Sequence, residues 1–178
     1  MKKIIKSVFV FAFVCAFLCG CSGMEELSER YTVTALGFDF NKTMTVTAEI
    51  FVTGDTAGSE LERNVVSAKG KTVSEAFYNL KLKLSQNPLL DHCTAVVIGN
   101  TVDGKRLKEV FDFCENQKGL NFGVNFVATQ NANEILSEKS YNVAVGFDIV
   151  SAIDSFKDTS GVNFKCRRYE IESDASAS

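Results

Sequence analysis

Three places in the sequence hold residue types able to do chemistry. Asp91-His92-Cys93 sets a carboxylate, the only histidine and a thiol side by side, and Ala68-Lys69-Gly70-Lys71-Thr72 ends as a phosphate-cradling loop ends. Leu18-Cys19-Gly20-Cys21 closes an apolar run with a thiol. A cysteine or serine nucleophile needs a base and an orienting carboxylate, and no G-x-S-x-G elbow occurs, so His92 reads as a loop or strand-edge histidine bonded to backbone. One histidine without any C-x-x-C pair gives no zinc set. The phosphate loop pattern needs glycine where Val65 stands, and no magnesium ligands can be assigned; Gly70 reads instead as the turn into a helix and Thr72 as its cap. Carboxylates are too numerous for their spacing to mark a glycosidase-like pair. No catalytic residue, metal site or cofactor motif is assigned.

The third place reads differently. Lys2, Lys3 and Lys6 precede an apolar run from Val8 to Leu18, and a small-residue junction follows. Together they describe an export signal, too short for a finished membrane span. Leu18-Cys19-Gly20-Cys21 resembles a bacterial lipobox, whose closing cysteine receives a diacylglyceryl group and becomes the first residue of the mature chain. A thiolate is the side chain suited to attack a lipid donor. Each buried methylene contributes about 0.8 kcal/mol, so one acyl chain binds marginally and two bind durably. The expectation is a lipoprotein signal peptide over 1–20 and a lipid anchor at Cys21. The alternatives are an ordinary signal peptide in which Cys21 is incidental, and an uncleaved helix.

Losing residues 1–20 removes three lysines and no acid from 19 basic and 22 acidic residues, which deepens the net charge from -3 to -6. Nucleic-acid affinity rests on clustered Lys and Arg, and no basic stripe is present, so no nucleic-acid partner is expected. The mature length suits one domain, and an apolar content of 46% with 15 Phe suits a folded core. Of six cysteines, Cys93, Cys114 and Cys166 are left once Cys15 and Cys19 leave with the signal and Cys21 takes the lipid. Their number is odd and their spacing wide, so no disulfide framework is indicated; at most one bridge forms, and Cys114 belongs to a helix's apolar face.

Residues 21–30 form a short acidic tether; ten extended residues reach only about 35 Å, which keeps the domain near the membrane. Tyr31–Phe40 and Met44–Thr53 alternate with period two around Asn41-Lys42-Thr43 and predict an antiparallel hairpin, half-buried, with Met44, Val46, Ala48, Ile50 and Val52 inward and Thr45, Thr47, Glu49, Phe51 and Thr53 outward. Gly54–Asn64 reads as a polar loop and Val65–Lys69 as a third strand. Thr72 and Glu75 form a capping box for a helix over 72–86, with Val73, Ala76, Phe77, Leu80 and Leu84 on one face and Asn87-Pro88 as its stop. Tyr78 and Leu82 lie off that face. Thr94–Gly99 is a buried strand; Asp103 caps a helix to about Gln117 carrying Leu107, Val110, Phe111 and Cys114. Phe122, Val124, Phe126 and Ala128 predict another strand, Asn131 with Glu134 a short capped helix carrying Ile135 and Leu136, and Phe147–Phe156 a last amphipathic piece. The result is an α+β fold, a mixed β-sheet with helices packed on it, in a single domain over 31–157 behind the signal peptide. The polar tail, 158–178, reads as disordered at its end.

With these elements placed, the chain resembles the Ger(x)C lipoproteins, the C subunits of nutrient germinant receptors in spore-forming bacteria. The matching residues are Glu26-Leu27 in the tether, Val33 with Gly37-Phe38-Asp39, Gly70-Lys71-Thr72-Val73-Ser74-Glu75-Ala76, His92 followed by Ala95–Gly99, Leu107–Phe113, and Ala132 with Ile135-Leu136. They run collinearly from Cys21 to Leu136. Ser22 and Gly23 stand where the family commonly has tryptophan and an acid, and family members usually carry two further domains after the one seen here. The resemblance implies a non-enzymatic lipoprotein, anchored through Cys21 on the outer face of the spore's inner membrane, whose partners are the receptor's integral membrane subunits. Tyr78, Leu82 and Phe113 are candidate interface residues. The rival readings are an envelope lipoprotein that captures a small solute for transport or sensing, which usually needs a cleft between two lobes, and a cell-envelope enzyme.

Overall fold

The first strand, β1 (Tyr31–Asn41), carries side chains that cannot all face one core: Leu36 and Phe38 are bulky, while Ala35, Gly37 and Asp39 between them are small or charged. This alternation suits a strand covered on both faces by different layers. The computed structural model describes residues 31–52, 62–121 and 123–160, with side chains described to 155. The expected signal peptide 1–20, Cys21, the tether and the tail from 161, with Cys166, lie outside the described residues, as do 53–61 and Phe122.

The expected hairpin forms. β1 pairs antiparallel with β2 (Thr43–Val52) through a turn in which Lys42 takes a left-handed conformation, φ 61°. The register shifts between Val33 and Ala35. The third strand, β3 (Glu62–Gly70), begins three residues before the expected Val65, inside what reads in sequence as polar loop, and pairs antiparallel with β2. Helix α1 (Val73–Leu84) follows. The buried strand β4 (Ala95–Gly99) runs parallel to β1; α2 (Gly104–Asn116) then crosses over to β5 (Asn125–Thr129), parallel to β4. β5 is shorter than its alternation suggests, since Val124 precedes it. The six-residue α3 (Ala132–Ser137) and α4 (Val145–Ser160) are the last elements among the described residues; α4 starts two residues before the expected Phe147 and continues beyond 157. The mixed sheet has the order β3-β2-β1-β4-β5, and the fold is α+β.

One face of the sheet packs Leu36, Phe38, Met44, Val46, Ile50 and Val96 against Val73, Phe77 and Leu80 of α1 and Val110 and Cys114 of α2. The other packs Ala35, Ala95 and Val97 against Ala132 and Leu136 of α3 and Val145 of α4. The hairpin is therefore not half-exposed. Thr47 and Glu49, placed on the outer face by their polarity, are fully buried because α3 and α4 cover that face. The helix stop also differs. α1 ends at Ser85, whose left-handed conformation (φ 59°) lets its N–H donate to the Leu82 carbonyl, so the chain leaves the helix before Asn87-Pro88.

Glu49 is 0% exposed, and burial of a carboxylate is tolerable only where donors surround it. Its Oε1 accepts from Arg63 Nε at 2.5 Å and the Val145 amide at 2.7 Å. Its Oε2 accepts from Thr34 Oγ1 at 2.7 Å and the Gly146 amide at 2.9 Å. Arg63 Nη2 continues to the Leu136 carbonyl at 2.5 Å, which joins the end of α3 to the start of α4. Glu49→Ala would strand four donors, one cationic. It is expected to lower stability by about 3–5 kcal/mol in urea unfolding, with Thr34→Val costing about 1 kcal/mol. A loss under about 1 kcal/mol for Glu49→Ala would show that the carboxylate does not hold the layer.

Candidate functional site

The turn from β3 into α1 is closed to anions by the chain's own carboxylates. Glu75 N–H donates to Thr72 Oγ1 at 3.1 Å, and Glu75 Oε2 accepts from the Lys71 amide at 2.8 Å, a box that reaches one residue beyond the cap. The Val73 amide donates to Glu109 Oε1 of α2 at 2.8 Å. Two carboxylates therefore occupy the ground a phosphate would need. Gly70 is required for closeness, not for a phosphate: a Cβ there would lie 2.3 Å from the Ala76 amide nitrogen.

Asp91, His92 and Cys93 do not form a catalytic group. His92 and Asp91 are solvent-exposed with 3.9 Å between Nε2 and Oδ2, whereas Cys93 points into the core and donates its thiol to the Ala95 carbonyl at 3.5 Å. Burial, then proximity to Cys114, pushes the Cys93 thiol up to about 12. Such a thiol stays protonated and is a poor nucleophile. Cys114 is core, as its helical position predicts. Among the described residues no group of three His, Cys, Asp or Glu is placed to hold a metal.

The motif residues instead meet one another. Asp39, at the end of β1, accepts the amides of Ala132 and Asn133 on its two oxygens, each at 2.8 Å, and so caps the first turn of α3 together with Asn131, which accepts from Glu134 at 3.1 Å. Gly99 makes room for that carboxylate: a Cβ there would lie 2.0 Å from Asp39 Oδ1. Gly37 makes room for the helix itself, since its Cβ would meet Leu136 Cδ1 at 2.9 Å and Ala132 Cβ at 3.1 Å. Thr47 Oγ1 accepts from Asn133 Nδ2 at 3.0 Å. Gly37, Asp39, Gly99, Ala132 and Leu136, distant in sequence, form one docking joint for α3. Sequence reasoning finds these residues as motifs but misses Arg63, which binds the Leu136 carbonyl, and its partner Glu49, and misses Asp148, which accepts from the Ser140 hydroxyl, the Tyr141 and Asn142 amides and the Asn142 side chain. Desolvation opposes the Asp148 charge, yet these donors hold its carboxyl below the usual range. An aspartate six to eight residues after Ser140 and Asn142 is the only sequence signal for that loop.

Among the described residues, contact with other molecules falls to the surface. A groove of about 490 Å³ runs between α1 and α2, lined by Tyr78, Lys81, Phe113 and Asp112 among others, and a second of about 490 Å³ continues past Phe77 and Lys81 to Pro88 and Leu89. Of the candidate interface residues, Tyr78 is 57% and Leu82 60% exposed. Phe113 is turned inward, edge-on to Phe77 at 5.0 Å and to Phe38 at 6.1 Å; it forms the groove floor, and Leu82 lies outside the groove lining.

Two predictions follow from the joint and the thiol. Gly99→Ala is expected to destabilise by about 1–3 kcal/mol through displacement of the Asp39 carboxylate, and its cost should shrink in an Asp39→Ala background, as a thermodynamic cycle would read. Burial keeps the Cys93 thiol protonated and out of reach at pH 8, so peptide-resolved thiol labelling should leave Cys93 unmodified in the native protein and modify it in urea; rapid native labelling would overturn its placement.

No curated protein and no solved structure matches this chain. The family model for the spore germination protein N-terminal domain matches residues 23–167, a span that contains the five strands and four helices of the described residues and the whole docking joint. The chain thus belongs to the spore germination protein N-terminal domain family, and its biological role lies in spore germination.

Proposed function

We propose that this protein is a membrane-anchored, non-enzymatic lipoprotein subunit of a nutrient germinant receptor, held through lipidated Cys21 on the outer face of the spore's inner membrane. The observation that carries this reading is the family match beginning at residue 23, two residues beyond the cysteine of the lipobox-like Leu18-Cys19-Gly20-Cys21. A domain that follows its anchor so closely is confined to the membrane surface, where the receptor's integral membrane subunits are its partners. Confinement raises its effective concentration beside them, so a modest interface suffices. The described structure supports a binding role. The carboxylates of Glu49, Asp39, Glu75, Glu109 and Asp148 are all engaged in holding elements together. Tyr78 and Leu82, by contrast, face solvent on α1 and are the side chains offered to a partner.

Mass spectrometry of the mature N-terminus with fractionation of spores tests this. A diacylated Cys21 in the inner-membrane fraction is expected, and Cys21→Ala should release the protein from that fraction and reduce nutrient germination severely. A Cys21→Ala protein that still co-purifies with the membrane subunits and germinates normally would refute the anchor's role; a soluble, unlipidated wild-type protein would refute the lipoprotein reading.

A further inference from the structure

The connections of α3 and α4 place one exposed loop at the end of the domain where the chain enters. α3 starts over Asp39, near the end of β1, and its Leu136 carbonyl is bound by Arg63, whose strand position pairs through Phe51 to Thr32, near the start of β1. α4 begins at the Thr34 and Glu49 level, where Val145 and Gly146 donate to Glu49. Residues 138–144 therefore turn at the Tyr31 end of the sheet. There Tyr141 is 99% and Val143 56% exposed, and Phe147 in the first turn of α4 is exposed as well. These apolar side chains are not on a loose segment. Asp148 accepts from Ser140 Oγ at 2.7 Å, Tyr141 N at 2.8 Å and Asn142 N at 3.1 Å, which fixes the backbone that displays them.

We propose that the loop 138–144 seats on the lipid surface itself, with Tyr141 and Val143 at headgroup depth, so that this end of the domain faces the bilayer. This rests on the lipid-anchor reading above. The occupant is argued from chain length and position: Tyr31 is ten residues from Cys21, and that stretch spans at most about 35 Å, so the Tyr31 end is the part of the domain the anchor holds nearest the membrane. Tyrosine suits that depth because its ring is apolar and its hydroxyl stays wet. A preformed loop loses little conformational freedom on contact. The loop's own charges, Glu138 and Lys139, offset one another, so the contact depends on insertion more than on attraction to anionic headgroups. The opposite end, where β4 runs into α2 and Arg106 stacks on Phe40 at 3.5 Å, points away from the bilayer.

The chain contains no tryptophan, so a single introduced indole reports its own surroundings. The full-length lipidated protein, as Tyr141→Trp or as Lys105→Trp at the far end, is reconstituted into vesicles of phosphatidylethanolamine and phosphatidylglycerol with brominated acyl chains. The Tyr141→Trp emission should be quenched on the order of twofold and shifted to the blue, and the Lys105→Trp emission left unchanged, because interfacial side chains lie within about 5–10 Å of the acyl boundary. Protein that floats with the vesicles but shows no quenching at position 141 would overturn the lipid contact and leave the anchor intact. If that unquenched emission shifts in native spore membranes, the loop is a protein interface instead. Protein that fails to float and lacks the lipid mass would sink the anchor reading and this inference together.

Discussion

A helix of six residues makes fewer than two turns and has no stability of its own, so α3 exists only because the sheet satisfies its first amide groups and accepts its apolar side in a space cut to fit. Asp39 supplies the acceptors, Asn131 adds to them, Thr47 holds the Asn133 side chain, and Gly37 and Gly99 remove the side chains that would stand in the way. The same solution recurs one helix later, where Glu49 accepts the first amides of α4 and Gly146 lies so close to β1 that its Cβ would come 2.7 Å from the Thr34 carbonyl. The half-buried Asp39 and the fully buried Glu49 each gain from the helix dipole and from charge-assisted hydrogen bonds together, which offsets the cost of removing the charge from water. The second layer of the fold depends on these two acids.

That constraint explains the two unlike faces of the sheet. Against α1 and α2 the strands present Leu36, Phe38, Met44, Val46 and Ile50, an ordinary large-residue core that longer helices cover by area alone. Against α3 and α4 they present Ala35, Gly37, Ala95 and Gly99, small enough for close approach, with polar anchors interleaved. Several residues that mark the family resemblance fall on this joint and on the Gly70–Ala76 approach, where the β3–α1 turn packs too tightly for a side chain at Gly70. Their pattern encodes how helices are fastened to the sheet. It does not encode a pocket, which is why a phosphate-loop reading of Gly70-Lys71-Thr72 fails chemically as well as by spacing: the amides it would offer are already bonded to Glu75 and Glu109.

Much of the fold was legible because its signals are local. Period-two alternation located β1 and β2, the Thr72–Glu75 spacing located α1, and Asp103 and Asn131 each cap the helix they precede. The second face was not legible. Alternation separates two faces but does not say whether the polar one meets water, and Thr47 and Glu49 look like solvent residues until α3 and α4, eighty or more positions later, cover them. Arg63 was hidden for the same reason, since a charged residue beside two glycines and several polar residues reads as loop. Proline misled on the end of α1, because Ser85 reaches the left-handed region at a position where sequence gives it no special standing. The proposed lipid-anchor residue, Cys21, rests on chemistry alone, the thiol and its flanks, and lies outside the described residues.

The placement of the joints also divides the domain by end. Asp39 and Gly99 sit where β1 and β4 finish, and there the sheet, α3 and the cap of α2 are packed closely around short side chains. Where β1 begins, the chain is held by backbone bonds, Val33 to Leu89 and Leu89 to Tyr31, and the loop between α3 and α4 is held by a single aspartate. The closely packed end is remote from Tyr31, and the Tyr31 end carries the exposed Tyr141 and Val143. A domain tethered by one end to a membrane has its orientation set by what that end can touch. In the proposed anchored arrangement, with the Tyr31 end toward the bilayer, the α1–α2 groove and Tyr78 lie on a flank of the sheet and so face sideways, toward proteins in the same membrane.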